Sequence, residues 1–395
     1  MNKYRFLPFL LTYILLILSI VSVGNKTATV SNNNVATKDE QEYYIKGVWV
    51  SYITLDMQNT DKSKEAFEDK INTIVNTTKK SGFNTLVFQV RPFCDALYDS
   101  NIFPWSHILT SNQGENPNYD PLAIICDICH KSNIKVHAWI NPYRVSTEKT
   151  PKALSNSNPI NKNKAIYFEH NDSLYLDPSN KDAQKLIISG VEEIVKNYDV
   201  DGIQFDDYFY PDNSDDADDK QYQAYVNNAN KPLSKQEWRK NNVNNLIKEV
   251  YKTVHKYSDN VIFGISPQGN IKNNDELGAD VKKWCSKKGY IDYICPQLYF
   301  SLDNPTLSFE VSLNEWLKLD KHKELSMYIG LAGYKGGTDE DKGTWQDNND
   351  ILKTEIQICE ENKTDGIMLY SYESFNSEEN KNEIKNVVQY LNGVK

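Results

Sequence analysis

From residue 44 onward, the sequence alternates short runs of β-branched and aromatic residues with longer amphipathic segments. The runs begin near Lys46, Asn84, Ile134, Val200, Val261, Ile291, Ser326 and Asp365. Strand-like runs that alternate with helical segments predict a parallel sheet. Eight such units are the number that closes a (β/α)8 TIM barrel, a fold of about 250 residues before insertions. We therefore predict an α/β protein with one barrel over residues 43–395.

A doubly wound open sheet is the alternative architecture. Such a sheet normally has a glycine-rich turn after its first strand, where it binds phosphate groups. Residues 51–54, which follow the first run, are Ser-Tyr-Ile-Thr and contain no glycine. The pattern therefore favours the barrel.

Local signals mark several helix ends. Asp120 followed by Pro121 predicts a helix start, and Ser234 with Glu237 forms a capping-box pattern. Gly82 follows an amphipathic segment, as a residue at a helix C-terminus often does. These positions place helices between the predicted strands.

The longest intervals between strands follow the third run, over residues 141–199, and the fourth run, over residues 207–260. Part of each interval has helical periodicity, and the rest predicts long loops. In a TIM barrel, the loops at the C-terminal ends of the strands build the active site. We expect these two loops to shape a groove there.

The N-terminal segment has the features of an export signal. Residues 1–5 are basic, and residues 6–23 form an apolar run that approaches the ~20 residues needed to span a bilayer. Residues 1–24 are therefore a cleaved signal peptide or a retained membrane anchor, and residues 25–42 a polar linker. Either alternative places the barrel in a secreted or membrane-anchored, extracytoplasmic protein, with membrane contact only through this segment.

The net charge of the chain limits the classes of molecule that it is expected to bind. Its 44 Lys and Arg residues against 54 Asp and Glu residues give a net charge of −10. A negative chain without a basic stripe argues against nucleic acid, because binding to nucleic acid depends on neutralising phosphates. No Cys and His spacing resembles a zinc site, so we expect neither a metal nor another cofactor.

Polar side chains follow the fourth run in the order expected at the mouth of a barrel. Alternation along a strand places Gln204 and Asp206 on one face, which has little reason to be polar unless it reaches a site. Asp207 should begin the loop and face the other way unless the chain bulges. Glycosidic bond cleavage requires one protonated carboxyl and one ionised carboxylate. We predict Asp206, Asp207 and Glu373 as catalytic residues.

Aromatic and polar residues at the other strand ends complete the predicted site. Trp and Tyr rings pack against sugar rings, while amides and Arg hydrogen-bond hydroxyl groups. The predicted substrate-binding residues are Trp49, Arg91, Asp95, Trp139, Asn141, Tyr143, Arg144, Gln297, Tyr299 and Tyr372.

The motifs at these strand ends resemble those of the glycosyl hydrolase-like 10 family, formerly DUF187. The matching stretches include residues 47–50, 82–92, 137–144, 201–211, 266–267 and 296–299. The resemblance extends from about Lys46 to Phe375 and implies an exported bacterial barrel. It places the family's acidic pair on Asp206 and Asp207. The sequence departs from the family pattern at residues 240–241 and 268–270, which bear on substrate specificity.

The resemblance implies a glycoside hydrolase that acts on bacterial cell-wall polysaccharide. Its leading substrate is the peptidoglycan glycan strand without peptides. Two alternatives remain open, a non-catalytic glycan-binding barrel at the cell surface and a transglycosylating relative. Retention of Asp206, Asp207 and Glu373 together favours the hydrolase, because burying unpaired carboxylates is costly.

Overall fold

A computed structural model of the chain describes residues 44–212, 217–346 and 348–394. The predicted signal or anchor over residues 1–24 and the linker over residues 25–42 lie outside these ranges. Within the described ranges, no helix has both the length and the apolar composition needed to cross a membrane.

Eleven strands are present in the described residues. They are β1 (Ile45–Val50), β2 (Thr85–Arg91), β3 (Lys135–Ile140), β4 (Arg144–Ser146), β5 (Tyr167–His170), β6 (Ser173–Leu176), β7 (Gly202–Phe205), β8 (Ile262–Ile265), β9 (Tyr293–Ile294), β10 (Ser326–Ala332) and β11 (Gly366–Tyr370).

Eight of these strands form a closed parallel barrel. Their order around the barrel is β1, β11, β10, β9, β8, β7, β3 and β2, and β2 pairs with β1 to close it. Each barrel strand begins close to a predicted run, so the TIM-barrel prediction is confirmed. The C-terminal ends of all eight strands consequently open toward the same face.

Large side chains fill the barrel where neighbouring strands carry glycine. A Cβ atom added at Gly264 of β8 would lie 2.2 Å from the ring of Tyr293 on β9, and one at Gly202 would lie 2.8 Å from the ring of His137. Burial lowers the pKa of His137 to about 4, and its Nδ1 lies 3.1 Å from the Tyr293 hydroxyl. His137 is therefore a core residue that supports the floor of the barrel mouth.

Helices surround the barrel and fill the connections. They are α1 (Tyr52–Leu55), α2 (Lys64–Lys80), α3 (His107–Thr110), α4 (Pro121–Lys131), α5 (Pro159–Lys162), α6 (Lys181–Asn197), α7 (Asp219–Asn228), α8 (Lys235–Tyr257), α9 (Ile271–Glu276), α10 (Val281–Ser286), α11 (Phe309–Leu317), α12 (Ile351–Glu361) and α13 (Lys381–Leu391).

The predicted helix ends coincide with observed ones. The Asp120 side chain accepts a hydrogen bond from the Ala123 amide at the start of α4. Ser234 accepts one from the Glu237 amide at the start of α8. Gly82, two residues beyond α2, has φ +83°, a left-handed conformation that glycine adopts without strain.

The two long connections are present, and the first contains structure that the sequence did not predict. Strands β4, β5 and β6 form a small antiparallel sheet between β3 and α6. After β7, Asp218 accepts hydrogen bonds from Arg239 of α8 at 2.6 and 2.9 Å. Both side chains are buried, so this ion pair joins Asp218 firmly to α8.

Candidate active site

Strand β7 brings the first acidic residue into the mouth of the barrel. Gln204 points inward, where its Oε1 accepts a 2.6 Å hydrogen bond from Trp49 Nε1. Two residues further on, Asp206 Oδ2 accepts a 2.9 Å hydrogen bond from Trp139 Nε1. The predicted shared face of Gln204 and Asp206 is therefore observed, and two buried tryptophans orient it.

Asp207 lines the same cleft as Asp206 instead of facing away from it. Strand β7 ends at Phe205, and the alternation of side chains does not continue beyond Asp206. The Phe209 amide donates to the Asp207 carbonyl, which marks a turn at this position. Gln297 Nε2 lies 3.1 Å from Asp207 Oδ1 and 2.9 Å from the Ser266 carbonyl oxygen. The turn thus directs two adjacent carboxyl groups into one space.

The cleft that contains the two carboxyl groups has a volume of about 190 Å³. Residues from strands around the barrel line it, which are Trp49, Trp139, Gln204, Asp206, Asp207, Tyr208, Ser266, Gln297, Tyr299 and Tyr370.

The surroundings in the cleft raise the pKa of both aspartates above the ordinary value. Desolvation, followed by the charge of Asp207, raises the pKa of Asp206 to about 7. Desolvation also raises the pKa of Asp207, and the Gln297 hydrogen bond is the largest effect that opposes this shift. A carboxyl with a raised pKa retains its proton near neutral pH, as a general acid must.

Arg144 supplies positive charge behind the acidic pair. Its Nε donates to the Pro92 carbonyl oxygen at 3.0 Å, and its amide donates to Asn141 Oδ1 at 2.9 Å. Its guanidinium stacks on Phe93, 4.9 Å from the ring centroid, and on Tyr208, 5.5 Å away. Its charge lowers the pKa of both aspartates, in opposition to their burial.

Aromatic rings form the walls around the carboxyl groups. Tyr370 lies 6.0 Å from Trp49, 6.3 Å from Trp139 and 5.8 Å from Tyr299 between ring centroids. Tyr208 remains 50 % exposed beside the acidic pair. Rings with exposed faces are the surfaces on which sugar rings pack.

Some predicted substrate-binding residues are buried away from the cleft. Arg91 packs on Phe103, with its guanidinium 4.7 Å from the ring centroid. Asp95 accepts a hydrogen bond from Gln113 at 3.1 Å, and its other contact is with His107 Nδ1 at 3.2 Å. The hydroxyl of Tyr143 is fully buried.

The position of Arg91 differs from the prediction because the chain departs from regular strand geometry at the end of β2. The register between β2 and β3 shifts between Gln89 and Arg91, so Arg91 points outward from the barrel.

Glu373 and Tyr372 lie at a different depression. They belong to a short 3₁₀ helix, Tyr372–Asn376, after β11. The Glu373 carboxyl accepts hydrogen bonds from Ser51 at 2.9 Å and from the hydroxyls of Thr54 and Ser371. The structure therefore brings Asp206 and Asp207 together and leaves Glu373 outside the lining of their cleft.

Of the predicted residues, Trp49, Trp139, Gln297 and Tyr299 line the cleft. Arg144, whose amide donates to Asn141, stacks on Tyr208 of the lining. Tyr208 and Tyr370 also line the cleft but were not predicted from the sequence, although Tyr208 follows Asp207 and Tyr370 lies two residues before Tyr372. The sequence signal that could have identified Tyr208 is its position directly after the acidic pair.

No group of three or more His, Cys, Asp or Glu residues in the described ranges is arranged to hold a metal ion. Both cleft carboxyl groups instead accept hydrogen bonds from N–H donors, Trp139 for Asp206 and Gln297 for Asp207.

Comparison with known proteins places the chain among glycosidase-like barrels. The Bacillus subtilis (strain 168) glycosyl hydrolase YngK is 33% identical over 332 residues, which cover 78% of this chain and 64% of YngK. The chain thus spans less than two thirds of that relative. The Escherichia coli (strain K12) glycosyl hydrolase DigH is 32% identical over 359 residues, which cover 82% of this chain and 81% of DigH.

A solved structure shares the fold. The PgaB (BpsB) glycoside hydrolase domain from Bordetella bronchiseptica superposes with a TM-score of 0.56 at 13% identity, and covers 87% of this chain and 99% of that domain. The family model of glycosyl hydrolase-like 10 matches residues 44–352. The resemblance seen in the strand-end motifs is confirmed, and with it the prediction of a glycoside hydrolase at the level of the family. The chain belongs to the glycosyl hydrolase-like 10 family.

Proposed function

We propose that this protein hydrolyses glycosidic bonds in a bacterial cell-wall polysaccharide, with peptide-free glycan strands of peptidoglycan as its substrate. The observation that carries this proposal is the pair of adjacent carboxyl groups, Asp206 and Asp207, in one aromatic cleft at the barrel mouth. A non-catalytic binding module would not need two buried carboxyl groups there, because their desolvation is costly.

We propose different roles for the two acids because their surroundings differ. Asp206, whose pKa is raised to about 7, donates its proton to the glycosidic oxygen as that bond breaks. Asp207 supplies the ionised carboxylate, because Gln297 donates a hydrogen bond to it and so favours the charged form. Water completes the reaction, and one new reducing end forms for each bond broken.

The shape of the site supports a polymeric substrate. The cleft of Asp206 adjoins a second one, with which it shares the lining residues Asp207, Gln297 and Tyr299. A groove with more than one position for a sugar suits a chain. The family resemblance supports the choice of wall polysaccharide.

The proposed location of the protein is outside the cytoplasm, where this polysaccharide lies. Its support is the basic start followed by the apolar run over residues 6–23. Cell fractionation tests this part independently. Recovery of the native protein in the cytoplasm alone would contradict it.

The experiment that tests the activity compares two forms of purified glycan strands, one freed of peptides by an amidase and one with its peptides intact. We expect the wild-type protein to release reducing ends from the peptide-free strands, and the Asp206→Asn variant to release at least about 100-fold fewer. Intact strands should react more slowly, because the peptides obstruct the groove. Retention of strands without any cleavage would instead indicate a glycan-binding barrel.

A further inference from the structure

A second cleft adjoins the one that contains the acidic pair. Its volume is about 520 Å³, and it shares Asp207, Gln297 and Tyr299 with the first. A ligand that occupied both would therefore pass directly over the Asp207 carboxylate. Phe300 and Tyr299 supply aromatic surface, and the loop over residues 268–270 lines the cleft together with Asn273 of α9.

The loop that lines the second cleft is held in place from below. The Gly269 carbonyl oxygen accepts hydrogen bonds from Trp316 Nε1 at 2.7 Å and Ser312 Oγ at 3.1 Å, both on α11. The buried Asn274 accepts from the Gln268 amide at 3.0 Å and donates to the Gln268 carbonyl oxygen at 2.7 Å. These hydrogen bonds hold the loop in one conformation, and an ordered loop lowers the entropic cost of binding.

One amide side chain that lines the second cleft, Gln268, also interacts with Asp207 of the acidic pair. The Gln268 side-chain oxygen accepts a 3.0 Å hydrogen bond from Asn273 Nδ2. That contact leaves the amino group of Gln268 to interact with Asp207, whose pKa it lowers. A sugar in the second cleft would therefore meet amide groups that are already oriented by the loop.

The lysine that lines this cleft already has an acidic partner. Apart from Tyr299, the described lining of the cleft has three ionisable residues, Asp207, Lys335 and Asp341. Lys335 Nζ lies 3.2 Å from Asp341 Oδ2 and donates to the Tyr299 carbonyl oxygen at 3.1 Å. Asp341 also accepts from Trp345 Nε1 at 2.8 Å. An anionic group here would meet Asp207 and a lysine that already has an acidic partner.

We propose that the second cleft binds an uncharged sugar residue of the polysaccharide, next to the sugar held over Asp206. This inference rests on the proposed function, and it specifies the register of the substrate, that is, which of the alternating sugars lies in each cleft. In a peptide-free glycan strand, every second sugar carries a lactyl carboxylate and the others are uncharged. Because the second cleft accepts the uncharged kind, each cleavage falls on the same one of the two alternating linkages.

The test blocks the second cleft without altering the first. Thr306 lines the second cleft, and its side chain is exposed. Its amide donates to Asn304 Oδ1 at 2.9 Å, a contact that a tryptophan side chain at this position would preserve. The matched control is Thr73→Trp, an exposed position on α2 that lies outside both clefts.

Binding of an uncharged N-acetylglucosamine tetramer is measured by calorimetry, with the full chain carrying Asp206→Asn to prevent turnover. Adding Thr306→Trp should weaken the Kd by at least about 10-fold, or about 1.4 kcal/mol. Adding Thr73→Trp should leave it unchanged. Equal Kd values for the two double variants would overturn the proposal.

Mass spectrometry of wild-type digests tests the register. All new reducing ends should carry the same kind of sugar, and a mixture of both kinds would overturn the inference. Failure of the wild type to cleave strands would contradict the proposed function alone, since the calorimetric comparison does not depend on turnover.

Discussion

At the scale of single residues, Asp206 has the most consequential environment in the site. Only 4 % of its surface is exposed, and its pKa is raised from the ordinary 3.8 to about 7. The folded protein therefore holds this proton more tightly than the unfolded chain does. Folding stability consequently falls as the pH rises from about 4 to about 7, and the full penalty is present above pH 7.

Replacing Asp206 with Asn should stabilise the protein above neutral pH. An amide cannot ionise, and its oxygen can still accept the hydrogen bond from Trp139. The difference between the two pKa values corresponds to at most about 4 kcal/mol. Denaturant unfolding at pH 8 should show Asp206→Asn as the more stable form, and the difference should disappear at about pH 4.

The exposed Asp320→Asn substitution is the control for this measurement. It should leave the free energy of unfolding nearly unchanged at both pH values. A loss of stability in Asp206→Asn at pH 8 would contradict a raised pKa for the buried Asp206 carboxyl.

The same environment predicts how activity depends on pH. Asp206 must be protonated to donate, so kcat/KM should fall as the pH rises through about 7. Asp207 must be ionised, and burial raises its pKa, so the acidic limb should lie above the ordinary 3.8 of an aspartate. The measurement is kcat/KM for reducing-end release from about pH 4 to about pH 9. A constant value between about pH 6 and about pH 8 would contradict the role of Asp206.

Residue-scale prediction from sequence succeeded where the strand geometry was regular. The two-residue period of a strand correctly predicted that the side chains of Gln204 and Asp206 point inward. It did not give the direction of Asp207, which depends on the turn after Phe205. It also could not locate the Glu373 side chain, since a 3₁₀ helix replaces strand geometry there.

At the scale of elements, the spacing of β8 and β9 depends on a glycine. A Cβ at Gly264 would lie 2.2 Å from a ring carbon of Tyr293, and both residues are within the barrel. The Gly264→Ala substitution should therefore destabilise the fold by about 1–3 kcal/mol, the usual cost of overpacking a core. Denaturant unfolding provides the measurement.

A double-mutant cycle separates this clash from any other effect of alanine. Once Tyr293→Ala has removed the ring, adding Gly264→Ala should cost little further stability. If alanine were as harmful without the ring as with it, close packing against Tyr293 would not explain the glycine.

Element boundaries were predictable where caps and hydrophobic periods coincide, as at Asp120 and Ser234. The sheet of β4, β5 and β6 was not predictable, because its strands have only three or four residues, and a larger share of these residues is partly exposed than in the barrel strands. Such short strands have too few alternating positions to stand out from a loop. Arg144 was selected from its motif, while its place behind the acidic pair depends on this sheet and on Pro92.

At the scale of the whole molecule, the barrel explains how distant parts of the sequence form one site. Trp49, Trp139, Asp206 and Gln297 come from separate strands or strand ends, and closure brings them around one cleft. The alternation of eight strands with helices could be predicted from the sequence because each strand is buried and bounded by polar segments. The second cleft could not be predicted, because Lys335 and Asp341 lie in a connection whose sequence has no strand or helix periodicity.

In the mechanism we propose, Asp206 and Asp207 act together and Glu373 does not take part in the chemistry. The direct test is reducing-end release from peptide-free glycan strands by the wild type, Asp206→Asn, Asp207→Asn and Glu373→Gln. Circular dichroism confirms that each variant is folded. The two aspartate variants should lose at least about 100-fold in kcat, and Glu373→Gln should stay within about 10-fold of the wild type. Full activity in either aspartate variant, or loss of activity in a folded Glu373→Gln protein, would contradict this account.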